Sequence, residues 1–248
     1  MRIDVFFGTA GLTPTDSTGR VVVVIDVLRA STSIAAALGN GARAIIPLDS
    51  TDEVVMRAKA FARSEVKLAG ERLMRPVPGF DLGNSPLEFT RENVEGKTVL
   101  LSTTNGTGAI TALQGPRDVV IGSYVNFSAV LAMLRTAMRG GTDIAILCAG
   151  REKQFSLEDA ACAGRFVHHA MRRRADVALN DAAFAAMLID RRYSDNLMRL
   201  FSASAHGRAL SEAGYGDDLA ACAAIDSYPV IPIYQDRQIT KLGPERAR

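Results

Sequence analysis

The sequence lacks the features that mark a disulfide-stapled, zinc-binding or membrane protein. It contains three cysteines at wide spacing and no C-x-x-C pair, so neither a disulfide framework nor a zinc site is expected. No apolar run approaches the roughly 20 residues that cross a bilayer, because Asp26 ends the longest one. Asp4 falls where a signal peptide would have its apolar core. We therefore expect a cytoplasmic protein with no membrane partner.

Neither sign of charge predominates. The 29 basic and 27 acidic residues leave a formal net charge of +2, which gives no reason to expect nucleic acid as a partner. With 248 residues, 48% of them hydrophobic, the chain can bury a sizeable core, and a single domain over 1–248 is the simplest organisation. The expected partner is a small molecule, and the sequence leaves homo-oligomerisation open.

Strand-like and helix-like segments alternate along the first two thirds of the chain. The run VVVVID at 21–26 suits a strand buried on both faces of a sheet, and the helix-forming STSIAAAL follows it at 31–38. Repeated units of this kind predict a three-layer α/β/α sandwich around a largely parallel, mixed sheet.

The pattern changes after about residue 175. Residues 176–227 are rich in alanine and in helix formers, and we expect a helical subregion packed on the same core. A last strand at 228–234 carries Pro229 and Pro232, which predicts a place at the edge of the sheet. The tail from Thr240 onward is expected to be mobile.

A polar segment, IDVLRAST at 25–32, follows the buried strand and opens the next helix. It holds Asp26, Arg29, Ser31 and Thr32. Open α/β sheets bind ligands at the carboxyl ends of strands, where helix amides favour anions. A helix start with a Ser/Thr cap accounts for the same residues without any function.

Three further polar segments stand where loops should leave strands. The segment 70–88 is long for a loop in a compact domain, and the segment 102–108, STTNGTG, could bring backbone amides close to a ligand. In the segment 148–164, Ser156 and Asp159 form a capping box. The glycine-containing turn alone is explained as a turn and the capping box alone as a helix start, whereas a loop as long as 70–88 is more often functional. Their co-occurrence predicts one shared crevice.

Together the four segments resemble the 2-phosphosulfolactate phosphatase family. The residues that carry the resemblance are IDVLRAST, GER followed by GFDLGNSP, TTNGT, and CAG followed by FSLEDAACAG. The resemblance implies a three-layer α/β/α fold and magnesium-dependent hydrolysis of phosphate esters of 2-hydroxy acids. The implied reaction converts 2-phosphosulfolactate to sulfolactate and phosphate, as in coenzyme M biosynthesis. One departure is that Leu73, Met74 and Arg75 follow GER, where the resemblance leads us to expect a glycine.

The residue types fit that chemistry. Mg²⁺ prefers hard oxygen ligands and keeps several waters, so two or three carboxylates are enough to hold it. Asp26, Glu71 and Asp159 are the candidate catalytic residues. Together with Glu158 they are the candidate metal ligands, and Asp81 is an alternative ligand. Either aspartate of the set could instead be a nucleophile that forms an aspartyl-phosphate.

Substrate binding requires cations and hydrogen-bond donors. Arg29 and Arg72 could clamp a phosphate, carboxylate or sulfonate through their planar guanidinium groups. Further substrate-binding candidates supply amides or hydroxyls: Ser31, Thr32, Asn84, Ser85, Thr103, Thr104, Asn105, Gly106 and Thr107.

Other phosphatase mechanisms fit less well. A haloacid-dehalogenase-type site needs a second aspartate where Leu28 stands, and a cysteine phosphatase needs a longer spacing than that between Cys148 and Arg151. His206 stands alone in the sequence, and Cys148 is expected to be a buried strand residue.

Two rival functions come from other classes. The chain could be a nucleotide- or phosphosugar-binding transferase, although Gly106 and Gly108 form only part of a G-x-G-x-x-G motif. It could also be a non-catalytic protein that binds a phosphorylated acid. The candidate carboxylates favour a metal enzyme, since without a cation they would repel an anion.

Overall fold

The computed structural model describes residues 1–152, 154–172 and 176–243. The strands are β1 (Arg2–Phe6), β2 (Val21–Ile25), β3 (Ala44–Pro47), β4 (Val66–Arg72), β5 (Arg75–Pro76), β6 (Thr98–Ser102), β7 (Asp118–Gly122), β8 (Ile144–Cys148), β9 (Ala178–Leu179), β10 (Pro232–Gln235) and β11 (Gln238–Lys241). They form one sheet in the order β5-β4-β6-β3-β11-β10-β7-β2-β8-β1-β9.

Helices cover both faces of this sheet. The α-helices are α1 (Pro14–Ser17), α2 (Ala30–Gly39), α3 (Thr51–Ala58), α4 (Arg91–Val94), α5 (Gly106–Thr111), α6 (Phe127–Arg139), α7 (Leu157–Met171), α8 (Asp181–Tyr193), α9 (Leu197–Ala203), α10 (Ala205–Glu212) and α11 (Gly216–Ala223). Short 3-10 helices span Arg63–Glu65, Pro86–Glu88 and Tyr124–Asn126. Within the described residues, no helix is long and apolar enough to span a membrane.

Strand β2 lies at the centre of the core, as its run of β-branched residues predicts. All five of its residues are buried, and it pairs in parallel with β7 on one side and β8 on the other. Since successive side chains of a strand point to opposite faces, Val23 belongs to one buried cluster and Val24 to another. The predicted three-layer α/β/α architecture is thereby confirmed.

The prediction for the last strand is wrong. Strands β10 and β11 form an antiparallel hairpin in the middle of the sheet, where β10 pairs with β7 and β11 with β3. Pro232 is tolerated there because it occupies the first position of β10, and Pro229 precedes the strand. Thr240, expected in a mobile tail, lies in β11, whereas residues 244–248 lie outside the described residues.

The predicted helical subregion is present as α8 to α11. Its buried side chains, among them Leu200, Phe201 and Leu210, belong to the same cluster as Val23 of β2. The cysteine at the end of β8, Cys148, is buried in that cluster as predicted. The helical subregion therefore packs directly on the sheet, and it carries α10 and α11 to the neighbourhood of the polar segments.

Candidate active site

A small polar pocket lies where the segments that follow β2, β4, β6 and β8 meet. All four polar segments singled out in the sequence contribute to its lining, and helix α10 adds one residue. The lining residues are Asp26, Leu28, Arg29, Glu71, Leu73, Met74, Asn84, Thr104, Asn105, Arg151, Glu152 and His206.

Asp26 is fixed by the turn that leads from β2 into α2. Its backbone N–H donates to Ser31 Oγ at 2.8 Å, and its Oδ1 accepts a longer bond of 3.3 Å from the Ala30 N–H. The segment after β6 packs against it at Gly106, where a Cβ atom would lie 2.7 Å from Asp26 Oδ2 and 2.6 Å from the Ala30 Cβ. Only glycine allows this close approach.

Asp159 lies behind Asp26 and ties three segments together. Its Oδ1 accepts from the Val27 N–H at 2.8 Å and its Oδ2 from the Gly150 N–H at 3.2 Å. Ser156 caps helix α7 by accepting from the Asp159 N–H, as the capping box predicts. The Asp159 carboxylate, however, turns inward, where it is 2% exposed. It therefore holds the loops that shape the pocket.

Glu158 lies beside Asp159 and contacts a residue that the sequence left isolated. Its Oε1 lies 3.4 Å from His206 Nδ1, and the Glu158 side chain is 2% exposed. His206 belongs to α10 and lines the pocket. No local signal could have paired the two, because they meet only when the helical subregion packs on the sheet.

Glu71 is the last residue but one of β4, and its carboxylate accepts hydrogen bonds from the segments after β4 and β6. Its Oε1 accepts from the Thr104 N–H and its Oε2 from the Met74 N–H, both at 2.8 Å. Leu73 and Met74 are the two central residues of the β4–β5 hairpin, with φ angles of 50° and 70°. Such angles define a type I′ turn, which favours Asn and Gly. The turn explains why a glycine is expected here.

The pocket has a surplus of buried negative charge. Burial raises the pKa of Asp26 to about 6; His206 acts to lower it, and the charges of Glu71 and Glu158 add to the increase. Burial, together with Asp26 and Glu158, raises the pKa of Asp159 well above its usual range. Burial also acts to raise the pKa of Glu158, but the hydrogen bond and charge of His206 outweigh it, so that this pKa is lowered.

The two arginines proposed as an anion clamp are engaged by protein groups. Arg29 lines the pocket, and its Nη1 donates to Asp218 Oδ2 at 2.7 Å and its Nη2 to the Met74 carbonyl at 3.0 Å. Arg72 donates to the Ser102 hydroxyl at 2.8 Å and is not among the lining residues.

Some of the remaining binding candidates line the pocket, and the others form hydrogen bonds within the protein. Asn84, Thr104 and Asn105 line the pocket, and Asn84 Oδ1 is buried with no hydrogen-bond partner among the residues that the structure describes. The others satisfy internal hydrogen bonds outside the lining: Ser31 with Asp26, Thr32 with Ser123, Ser85 with Asp218, and Thr103 with Thr107. Asp81, the reserve carboxylate, pairs with Arg63 away from the pocket.

The carboxylates that line the pocket fit Mg²⁺ if water and substrate supply the rest of its ligands. Within the described residues, no three or more His, Cys, Asp or Glu side chains are arranged to hold a metal by themselves. Mg²⁺ is commonly bound by one or two carboxylates, with water and substrate phosphate completing its ligands. Asp26 and Glu71 are the two carboxylates of the candidate set that line the pocket. Glu158 and Asp159, the other two candidate metal ligands, are not among the residues that line the pocket.

Comparison with known proteins identifies the family of the chain. The family model described as 2-phosphosulpholactate phosphatase matches residues 8–237. A "Probable 2-phosphosulfolactate phosphatase" of Symbiobacterium thermophilum is 41% identical over 90% of this chain and 95% of the relative. Proteins of the same name from Caldanaerobacter subterraneus and Clostridium beijerinckii are 37% and 32% identical, over 85% and 97% of this chain and 86% and 99% of theirs. The chain therefore belongs to the 2-phosphosulfolactate phosphatase family, a family of phosphoric monoester hydrolases.

Proposed function

We propose that this chain is a magnesium-dependent phosphatase that hydrolyses phosphate esters of small 2-hydroxy acids. Its first expected substrate is 2-phosphosulfolactate, which would yield sulfolactate and phosphate in a step of the coenzyme M type. The observation that carries the proposal is the placement of Asp26 and Glu71 in one pocket, in a chain whose relatives bear that name.

In this proposal, Asp26 and Glu71 hold the metal. Bound Mg²⁺ would neutralise phosphate charge and polarise the ester. The chain's own contribution is rigidity, since the backbone amides of Thr104 and Met74 fix both oxygens of Glu71. Preorganised groups of this kind lower the cost of reaching a charged transition state.

The proposed site also includes a proton donor for the leaving group of the ester. Glu158 Oε1 lies 3.4 Å from His206 Nδ1, and in this proposal the other ring nitrogen, Nε2, donates a proton in the pocket. An alkoxide leaving group needs such a proton donor when the ester bond breaks. The pairing of a buried carboxylate with a pocket histidine is therefore part of the proposed site.

The test is phosphate release from 2-phosphosulfolactate and from phospholactate, with and without a chelator. We expect activity to vanish in chelator and to return with added Mg²⁺. Asp26→Asn should lose turnover by orders of magnitude while circular dichroism shows an intact fold. Asp52→Asn, an exposed change on α3, serves as the matched control and should retain full activity.

The outcomes separate the parts of the proposal. Full activity in chelator would remove magnesium from it while leaving the phosphatase in place. Equal rates on sugar phosphates and on phospho-acids would remove the 2-hydroxy acid preference. An absence of release from every ester, with Mg²⁺ present, would leave a non-catalytic binder of phosphorylated acids.

A further inference from the structure

The pocket contains a cation that neither the metal set nor the predicted clamp includes. Arg151 lines the pocket, and its side chain makes no hydrogen bond or ion pair with any other residue that the structure describes. Arg29, by contrast, is neutralised by Asp218, and Arg72 is occupied by Ser102. Among these three arginines, only Arg151 has a guanidinium with no partner in the part of the chain that the structure describes.

The backbone around Arg151 is held from both sides. Its N–H donates to the Gln154 carbonyl at 3.0 Å, and the Gln154 N–H donates back at 2.8 Å. The preceding Gly150 donates to Asp159, and the N–H of the following Glu152 donates to Asn105 Oδ1 at 2.8 Å. Gly150 has a φ of 72°, and a Cβ there would collide with the Gln154 carbonyl. The position of Arg151 at the pocket is therefore built by its neighbours.

A phosphorylated 2-hydroxy acid carries a second anion close to its phosphate. If Asp26 and Glu71 bind magnesium, the phosphate is already matched to the metal, and the carboxylate or sulfonate next to it needs a separate cation. A free guanidinium binds a planar carboxylate, or two oxygens of a sulfonate, through paired N–H donors. A phosphomonoester with a neutral remainder makes no use of that group.

We propose that Arg151 binds the non-reacting carboxylate or sulfonate of the substrate and so determines the preference for phospho-acids. The proposal rests on the proposed phosphatase function and names the residue that sets its substrate class. Binding energy from this remote anion orients the phosphate for reaction.

The test compares two substrates in Arg151→Gln. For 2-phosphosulfolactate we expect kcat/KM to fall about 10- to 100-fold, as for the loss of a charge-assisted hydrogen bond. For phenyl phosphate, which has no second anion, we expect a change of no more than about threefold, within the scatter of near-neutral contacts. Arg57→Gln, an exposed change on α3, is the matched control and should alter neither value.

A binding measurement makes the test independent of turnover. Titration calorimetry of sulfolactate and of inorganic phosphate should show weaker sulfolactate binding in Arg151→Gln and unchanged phosphate binding. Equal losses for both ligands, or for both substrates, would assign Arg151 to the phosphate and overturn the proposal, as would the absence of any change. If the unmodified protein releases no phosphate, the proposed function fails, and the calorimetry still decides the role of Arg151.

Discussion

Arg29 and Asp218 form a buried ion pair, with Nη1 and Oδ2 at 2.7 Å and both side chains 3% exposed. The pair joins the turn after β2 to helix α11, two regions far apart along the chain. Ser85 donates to the other carboxylate oxygen at 2.5 Å, and the Arg29 guanidinium lies 4.5 Å from the centre of the Tyr215 ring. A pocket arginine is thus held in place by the helical subregion.

Asp218→Asn should destabilise the protein strongly, because it leaves the Arg29 charge buried without its partner. Removing one member of a buried pair typically costs about 3–5 kcal/mol, and urea unfolding monitored by circular dichroism measures the loss. Asp217→Asn, on the same helix but exposed, is the control and should change the free energy of unfolding little. If the two variants lose stability equally, the pair is not a stabilising anchor.

Asp26→Asn should abolish activity and, in chelator at neutral pH, make the protein more stable. The pKa of Asp26 is raised to about 6, first of all by burial, so its ionisation opposes folding. Asparagine keeps the acceptor for the Ala30 N–H without the charge. We expect a gain of about 1–3 kcal/mol in the free energy of unfolding.

The same change has a pH signature with a defined sign. The folded protein retains the Asp26 proton to about pH 6, whereas the unfolded chain releases it near 3.8, the ordinary pKa of an aspartate. The wild-type protein should therefore lose stability relative to Asp26→Asn as pH rises from about 4 to about 6, and the difference should be constant above that window. Thermal unfolding across pH measures it. A difference that does not depend on pH would contradict a raised pKa.

Gly106→Ala should damage both stability and activity. The new Cβ would contact Asp26 Oδ2 and the Ala30 Cβ well inside van der Waals distance, and overpacking of this kind costs about 1–3 kcal/mol. Gly108→Ala is a matched control in the same helix, because its Cβ would meet nothing within 4 Å. There we expect unchanged activity and about 0.5–1 kcal/mol of added stability from the better helix former. Equal behaviour of the two variants in unfolding and phosphate-release assays would refute the close approach.

The double change Leu73→Asn with Met74→Gly should stabilise the β4–β5 hairpin. Both residues have positive φ angles, which Asn and Gly adopt at lower cost, so a gain of about 1 kcal/mol in the free energy of unfolding is expected. As a control, Leu188→Gly, at an exposed site within α8, should instead lose about 1 kcal/mol. A loss in the hairpin variant would show that the two side chains stabilise this rim of the pocket more than the turn strains it.

Local patterns predicted much of this fold. The buried strand β2, the helix α2, the start of α7 and the convergence of the polar segments all follow from features that lie within a few residues of one another. Apolar periodicity and capping residues are patterns of that length, so they can be recognised in a single sequence.

The features that were missed depend on contacts between distant parts of the chain. Pro232 indicated an edge strand, but the place of β10 is set by its pairing with β7 and β11. Arg29 carried the features of an anion clamp, and only the folded chain shows Asp218 against it. His206 had no neighbouring motif, and Arg151, although it directly follows CAG, was not among the binding candidates. Their places in the site are shown only by the contact of His206 with Glu158 and by the lining of the pocket.

The sheet cannot be completed during synthesis until the central hairpin of β10 and β11 has been made. Strands β3 and β7 each present an open edge until residues 232–241 have left the ribosome, since β11 and β10 occupy the space between them. Unpaired edges of a nascent chain invite association with other chains. Glu71 lies near the end of a strand in one half of the sheet, and Asp26 follows a strand in the other half. A chain that stops before residue 232 is therefore expected to aggregate or be degraded, and to lack the joined sheet on which its pocket is built.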